Sequence, residues 1–519
     1  MKYDGVLDAW HEECGVFGLY DRTSTIGTTI YDGLMALQHR GQEGAGIAVV
    51  HGSQIDVVKG PGLVKEALQD VSTLEGHIGI GHVRYSTTGI ENPDDVQPLV
   101  GTSSWGTFVV AHNGNLTNAP VLHRKLELQG SKFRTTMDSE VIVHLIQRSN
   151  ESTILGAIQQ ACRRLEGAFS LTIATDTILI GVRDSHGYRP LCIGRTPNGY
   201  VLASESCAID AIGGIFIRDV RPGEMILIDG TGFRSIPYHS SKRYEVSDYR
   251  KTEGDIQSEA ISGDGTEKLE TKETKEAVDA ESVSIEQQTV VEQHTCVFEY
   301  IYFAHSTSVI DGQSVLEARV AMGRQLAKET HYEADIVMPI PNSGTLSAQG
   351  YAEEAGIPYR EGLVRNPKVL RTFIEPNQMS REEAVRNKFS VVPEVVQGKR
   401  IVLVDDSIVR GTTSRYIVSM LRQAGAKEIY VCLASEPVRY PCYFGIDTSN
   451  AEELLAHRYS IEETRQYIGV DRLYYLSHEG LMQSLKQLEA QHLCVACFTG
   501  EYPSPVREEY TKGGTYVCR

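Results

Sequence analysis

No stretch of the chain approaches the roughly 18 consecutive apolar residues that a membrane span needs, although 41% of its 519 residues are hydrophobic. Basic residues are in the minority: 50 Lys and Arg face 68 Asp and Glu, a formal net charge of -18. A chain of that sign repels a phosphate backbone, which excludes general coating of nucleic acid. Cysteine is sparse and irregularly placed, with 10 residues, too few for a disulfide scaffold at this length. The opening MKYDGVLDAWHEE is acidic and lacks an apolar h-region, so no secretory signal is expected and the expected compartment is the reducing cytoplasm. The Walker A pattern G-x-x-x-x-G-K-[ST] does not occur, which sets aside a P-loop nucleotidase.

What is present points to more than one hydrophobic core, because 519 residues exceed what a single core organises. The charge is uneven. Asp248 to Gln293 holds 13 acidic and 5 basic residues, no Phe or Trp, one Tyr, and the repetitive string EKLETKETKEA. Such a segment cannot bury enough apolar surface to offset its ordering entropy, so it reads as a solvated insert or a loose helix of Glu/Lys pairs. It separates two unlike halves.

From Cys14 to about Arg243, short apolar runs bounded by turn residues predict strands at Thr107–Ala111, Ser170–Ala174 and Thr177–Val182. Val141, Ile142, Leu145 and Ile146 share one helical face after the acidic start at Asp138. Sheets covered by helices follow, an α+β layered arrangement. From about Cys296, strands alternate with helices. RIVLV at Arg400–Val404 precedes Asp405-Asp406-Ser407-Ile408-Val409-Arg410-Gly411-Thr412-Thr413, a helix with Ile417, Met420, Leu421 and Ala424 on one face, and a further strand at Ile429–Leu433. That is a βαβ unit in a parallel sheet, an α/β domain.

The strand–loop–helix string carries chemistry. Main-chain N–H groups and the Ser407, Thr412 and Thr413 hydroxyls at a helix start suit a monophosphate. Two carboxylates at a strand's C-terminal end suit ribose hydroxyls and Mg²⁺, a hard cation. The plainer reading of the same residues is an acidic helix start capped by hydroxyls. Elsewhere the residues alone leave matters open. Cys14 in an apolar stretch reads, on its residues alone, first as buried core filler. HNGN at His112–Asn115 reads as a type I′ turn, which Asn-Gly favours. Cys494 and Cys497 form a C-x-x-C pair whose spacing suits zinc as well as an iron–sulfur cluster.

VLVDDSIVRGTTS resembles the phosphoribosyl-pyrophosphate (PRPP) signature of type I phosphoribosyltransferases. Together with CGVFGLY, LQHRGQEGAGI, GHVRYSTTG, AHNGNLTN, RPLCIG, CVFEYIYF, YFGIDT and CVACFTGEY, it makes the chain similar to the amidophosphoribosyltransferase family, in its iron–sulfur, propeptide-bearing subgroup. The resemblance covers Cys14 to about Tyr502 apart from the acidic insert. It implies a propeptide at 1–13 and a layered αββα glutaminase of the N-terminal-nucleophile type at 14–243. An insert at 244–293, a phosphoribosyltransferase domain at 294–502 and a tail at 503–519 complete the division.

By the same resemblance Cys14, freed at a mature N-terminus, is the nucleophile, with its own α-amine as base. The Asn113 side chain and Gly114 N–H form the oxyanion hole; Arg84 holds the glutamine carboxylate and Asp138 its ammonium. PRPP falls to Asp405, Asp406, Ser407, Arg410, Gly411, Thr412 and Thr413. Its pyrophosphate falls to Asn342, Ser343 and Gly344, and Arg371 belongs to a closing loop. Ser343, Asp405 and Asp406 are the implied Mg²⁺ residues. Cys296, Cys442, Cys494 and Cys497 are the implied [4Fe–4S] ligands, and Cys162, Cys192, Cys207, Cys432 and Cys518 are packing residues.

The implied reaction turns glutamine, PRPP and water into 5-phosphoribosylamine, pyrophosphate and glutamate, with ammonia passed between two sites. A homo-oligomer, dimer or tetramer, inhibited by purine nucleotides is also implied. The chain departs from the family pattern at Pro367 and Leu370, where arginine and glycine are common, and at Ala304-His305-Ser306-Thr307-Ser308 in place of A-R-P-D-S. These changes leave a PRPP-binding regulatory paralogue with uncoupled glutaminase activity as the alternative. A glucosamine-phosphate synthase type of amidotransferase fits less well, because its acceptor domain lacks the Asp-Asp-x5-Gly-Thr-Thr string.

Overall fold

The computed structural model describes residues 14–23, 26–52, 54–85, 93–238, 292–366, 388–446, 448, 450–486, 488 and 492–506. The propeptide region 1–13, nearly all of the acidic insert, the loop with Pro367, Leu370 and Arg371, and Cys518 lie outside the described residues.

Two antiparallel sheets build the first half. One runs in the order Ile215–Asp219, Cys192–Thr196, Gly199–Ala203, Gly15–Asp21, Ile78–Arg84, Gly44–His51, Gln54–Pro61. The other runs Gly232–Pro237, Glu224–Asp229, Leu179–Arg183, Gly167–Ala174, Gly106–Leu116, Leu99–Ser103. Strand alternation decides which face each side chain serves. In Gly15–Asp21, Phe17 and Leu19 meet Ile30 and Leu34 of the helix Gly27–Ala36, whereas Val16 joins Ile80, Val109, Ala111 and Ile226 between the sheets. Leu122, Leu126, Val141, Leu145, Ala157 and Ile158 cover the outer face of the second sheet from three helices, Ala119–Leu128, Ser139–Gln147 and Ile154–Cys162. The result is helix, sheet, sheet, helix: the expected αββα layering.

The second half centres on a parallel sheet, Ile336–Pro339, Arg400–Asp405, Glu428–Leu433, Arg472–Tyr475 in spatial order. Val337, Val402, Val404 and Cys432 face Val315, Ala318 and Met322 of the helix Val315–Thr330. Met338, Leu403, Ile429 and Val431 face Ile417, Val418 and Leu421 of the helix Thr412–Gln423. Gly425, φ +89°, lies just beyond that helix's end, a conformation that glycine adopts without strain. Among the described residues no helix is long and apolar enough to cross a membrane.

Polar and aromatic contacts join the halves. Tyr188 stacks on Phe444 with centroids 4.3 Å apart, and its hydroxyl meets Ser504 at 2.7 Å. Asn115 Nδ2 donates to the Tyr443 carbonyl at 2.8 Å. Arg183 and Asp311 form a fork of 2.7 and 2.9 Å. Thr295–Cys296 pairs in parallel with Leu493–Cys494, so a late segment of the chain returns to this junction.

Candidate active sites and cysteine cluster

Cys14 immediately precedes the central strand Gly15–Asp21 of the first sheet, and Arg84 ends the neighbouring strand, where Gly15 pairs with Val83. The partly buried Cys14 thiol lies 3.7 Å from the Tyr85 carbonyl. Burial pushes it above the ordinary thiol value of 9.0; the Arg84 and Arg40 charges oppose that rise and Asp138 adds to it. Three of the residues assigned to glutamine therefore share one electrostatic neighbourhood. A thiol held up in this way needs a base to become a nucleophile.

Asp138 stands directly before the helix Ser139–Gln147. It accepts from the Leu116 N–H at 2.9 Å and the Ser139 hydroxyl at 3.2 Å, and its side chain keeps 25% exposure. His112 Nδ1 lies 2.9 Å from Ser139 Oγ, and Gln97 and His82 grip the His112 backbone. Burial, reinforced by Arg84, drives His82 down to about 3, so it stays neutral. Sequence reasoning passed over this supporting set; only its nearness to the HNGN string marks it.

HNGN is not a turn. It lies inside the strand Gly106–Leu116, with Asn113 opposite Ser170 and Gly114 opposite Phe169. Gly114 has φ +143°, far from the left-handed values of a type I′ turn, and a Cβ there would stand 2.0 Å from the Ala168 carbonyl oxygen. Asn113 is fully buried, yet neither its Nδ2 nor its Oδ1 has a hydrogen-bond partner among the described residues. A buried amide left unpaired costs roughly 1–3 kcal/mol. Such a group is retained where a ligand completes it.

In the second half, Ser343 follows one parallel strand and Asp405 ends its neighbour, and their side chains meet at 3.3 Å. Asp405 Oδ1 also accepts from the Asp406 N–H at 2.9 Å, and Ser407 Oγ donates to Asp406 at 2.7 Å. Burial first, then the charge of Asp406, holds the Asp405 carboxyl well above its usual range. Two adjacent buried carboxylates with a hydroxyl beside them are hard oxygen donors that a divalent cation would relieve. Gly344 is pressed so closely on Asp405 that a Cβ would meet the Val404 carbonyl oxygen at 2.3 Å. The helix Thr412–Gln423 begins after Gly411, φ +80°, a residue with no side chain to place over the helix start. Arg410 turns to Glu453 at 3.0 Å.

Cys296 and Cys494 are register partners, and Cys442, Cys494 and Cys497 all lie within electrostatic reach of Cys296. Burial raises the Cys296 thiol to about 11 and the Cys497 thiol further. Arg189 hydrogen-bonds Cys296 and feels Cys442. Among the described residues, no three His, Cys, Asp or Glu side chains converge on one ion. The four thiols, three of them buried, are soft donors of the kind that an iron–sulfur cluster takes, and zinc accepts the same donor type.

A glutamine amidotransferase domain model matches residues 82–211. The amidophosphoribosyltransferase of Bacillus subtilis is 43% identical over 505 residues, covering 96% of both chains. The chain belongs to the amidophosphoribosyltransferase family. The Methanocaldococcus jannaschii amidophosphoribosyltransferase is 44% identical over 506 residues, covering 96% of this chain and 99% of that one. Glutamine PRPP amidotransferase from B. subtilis, solved with ADP and GMP, superposes with a TM-score of 0.81 at 42% identity, covering 96% of this chain and 98% of that one. A structure of the allosteric regulatory enzyme of purine biosynthesis gives 0.82, also at 42%, covering 96% and 97%. Membership of the amidophosphoribosyltransferase family makes this chain a glutamine-dependent pentosyltransferase of the first step of purine biosynthesis.

Proposed function

We propose that the first half releases ammonia from glutamine at Cys14 and the second half adds it to PRPP at Asp405–Thr413. Removal of residues 1–13 would leave an α-amine beside the thiol, with a pKa near ~7.7–8.0 and so able to take its proton at neutral pH. The sulfur attacks the side-chain amide carbon while Arg84 and Asp138 hold the carboxylate and ammonium of the substrate. Negative charge gathers on the amide oxygen, where Asn113 Nδ2 and the Gly114 N–H donate. Ammonia leaves, a thioester remains, and water returns glutamate and free thiol.

Ammonia released into water at neutral pH becomes mostly ammonium, which has no lone pair. Passage inside the protein keeps it reactive, and the Tyr443–Gly445 segment of the second half lies against Asn115 and Gly114 of the first. In the acceptor site the amine displaces pyrophosphate from ribose C1. Asn342, Ser343 and Gly344 take the pyrophosphate, and Ser407, Gly411, Thr412 and Thr413 take the 5-phosphate. Ser343, Asp405 and Asp406 would hold Mg²⁺, which neutralises pyrophosphate charge when bound. Cys296, Cys442, Cys494 and Cys497 would hold a [4Fe–4S] cluster that ties the returning strand to the junction. Arg371 would belong to a loop closing over PRPP, and purine nucleotides would compete there. The B. subtilis relative solved with ADP and GMP supports nucleotide binding.

The buried Asn113 amide, without a hydrogen-bond partner among the described residues, carries this reading. Purified enzyme given both substrates should release one glutamate for each pyrophosphate. Glutamate release that ignores PRPP would instead favour the uncoupled paralogue.

A further inference from the structure

We propose that Glu299, supplied by the second half of the chain, is a positioning residue for the glutaminase nucleophile and acts through Arg40. The proposal rests on Cys14 being that nucleophile. Arg40 Nε donates to the Cys14 carbonyl oxygen at 3.2 Å. Its terminal nitrogens fork onto Glu299, Nη2 to Oε1 at 2.7 Å and Nη1 to Oε2 at 3.0 Å, and Nη1 also reaches Glu205 Oε1 at 2.6 Å. A planar guanidinium gripped at both terminal nitrogens has its Nε–H direction fixed. Arg40 and Glu205 are 1% exposed and Glu299 0%, so solvent cannot replace a lost contact.

Glu299 is itself held from the acceptor side. It begins the π-helical turn Glu299–Phe303, and single turns of this kind recur at functional sites. Arg319, on the helix Val315–Thr330, donates to the carbonyls of Tyr300, Tyr302 and Ala304 at 2.9, 2.8 and 2.8 Å. The Asp406 charge acts on Arg319. Hydrogen bonds therefore run from Arg319 through the π-turn, Glu299 and Arg40 to the main chain of Cys14, and Arg319 itself lies in the field of Asp406. The glutaminase half cannot fix its nucleophile by itself; one of the two carboxylates on Arg40 belongs to the other half.

The test uses full-length mature enzyme carrying Glu299→Gln, Glu299→Asp or, as control, Asp311→Asn. Glu299 also accepts from Arg189 Nη1 at 3.3 Å; Asp311 pairs across the junction with Arg183 instead, without touching Glu299, Arg40 or Cys14. Glutaminase kcat and KM, the thermal midpoint and the alkylation rate of the thiol by a diazoketone glutamine analogue are measured, with the labelled residue mapped by mass. A misplacement of ~1 Å costs on the order of 100-fold, so Glu299→Gln should lose at least about tenfold in both kcat and alkylation rate, with KM within about twofold. Glu299→Asp should recover part of each rate, and Asp311→Asn should lower the thermal midpoint without slowing either. If Glu299→Gln does not fold, Arg40→Lys, which keeps charge but not the fork, takes its place with the same expected losses. Alkylation at the parent rate, or equal slowing in Asp311→Asn, would overturn the proposal. Label on a residue other than Cys14 would overturn the nucleophile assignment instead.

Discussion

Asn113 and Cys14 pull stability and activity in opposite directions. The Asn113 amide is buried without partners, so its removal relieves an unmet polar group even as it strips the developing oxyanion of a donor. Asn113→Ala is expected to lower glutamine-driven kcat by about 10²–10³ while leaving the thermal midpoint unchanged or raised. Paired steady-state assays and calorimetry check both signs at once. Cys14→Ser should abolish glutamate release and yet keep ammonia-driven use of PRPP, read as pyrophosphate formed in ammonium salt. Loss of both would mean that the thiol does more than open the amide.

Among the elements, the strand Gly106–Leu116 and the helix Ser139–Gln147 show what a sequence can and cannot announce. The apolar core TFVVA declares its strand by residue type. Its continuation through HNGN was hidden, because Asn-Gly is the commonest turn pair and only the partner strand Gly167–Ala174 overrides that preference. The helix was legible from its 3.6-residue repeat and acidic start, and Val141, Ile142, Leu145 and Ile146 are all buried. Its Glu140 carboxylate was not. Burial pushes Glu140 up, but the His144 imidazole 3.5 Å away and hydrogen bonds from Thr135 and the Arg134 N–H more than offset this and bring it from 4.5 to about 2. A carboxylate lowered on folding adds stability that is complete above the unfolded value and lost as pH falls through the folded one. Between pH 4.5 and about 2 the protein should therefore weaken, and Glu140→Gln should remove that part of the slope while lowering stability at neutral pH. Urea midpoints across the acid range would show it.

For the whole molecule, the division into two unlike halves and the αββα and parallel-sheet architectures could be read from patterning and from short strings spread along the chain. The junction could not. Arg40, Arg183, Arg189, Glu205 and Glu299 are buried charges. A lone charged residue in a sequence ordinarily denotes surface, since neither its spacing nor its neighbours betray a partner far along the chain, 110 to 259 residues away here. The four cysteines were visible as residues, but the approach of Cys494 to Cys296 depends on the parallel pairing of their strands. Cys442→Ser is expected to abolish the broad visible absorption of anaerobically purified protein, reduce its iron and sulfide content and lower its thermal midpoint. Unchanged iron in that variant would remove Cys442 from the ligand set.

That pairing also bears on unfinished or damaged molecules. A polypeptide cut between Phe303 and Leu493 leaves Cys296 without its strand neighbour and Tyr188 without Ser504. Such a fragment would carry every group needed to open glutamine and yet lack the latch that sets the two halves against each other. The proposed handover of nitrogen then depends on the late strand, and a copy that ends early should fail to pass ammonia to the sugar.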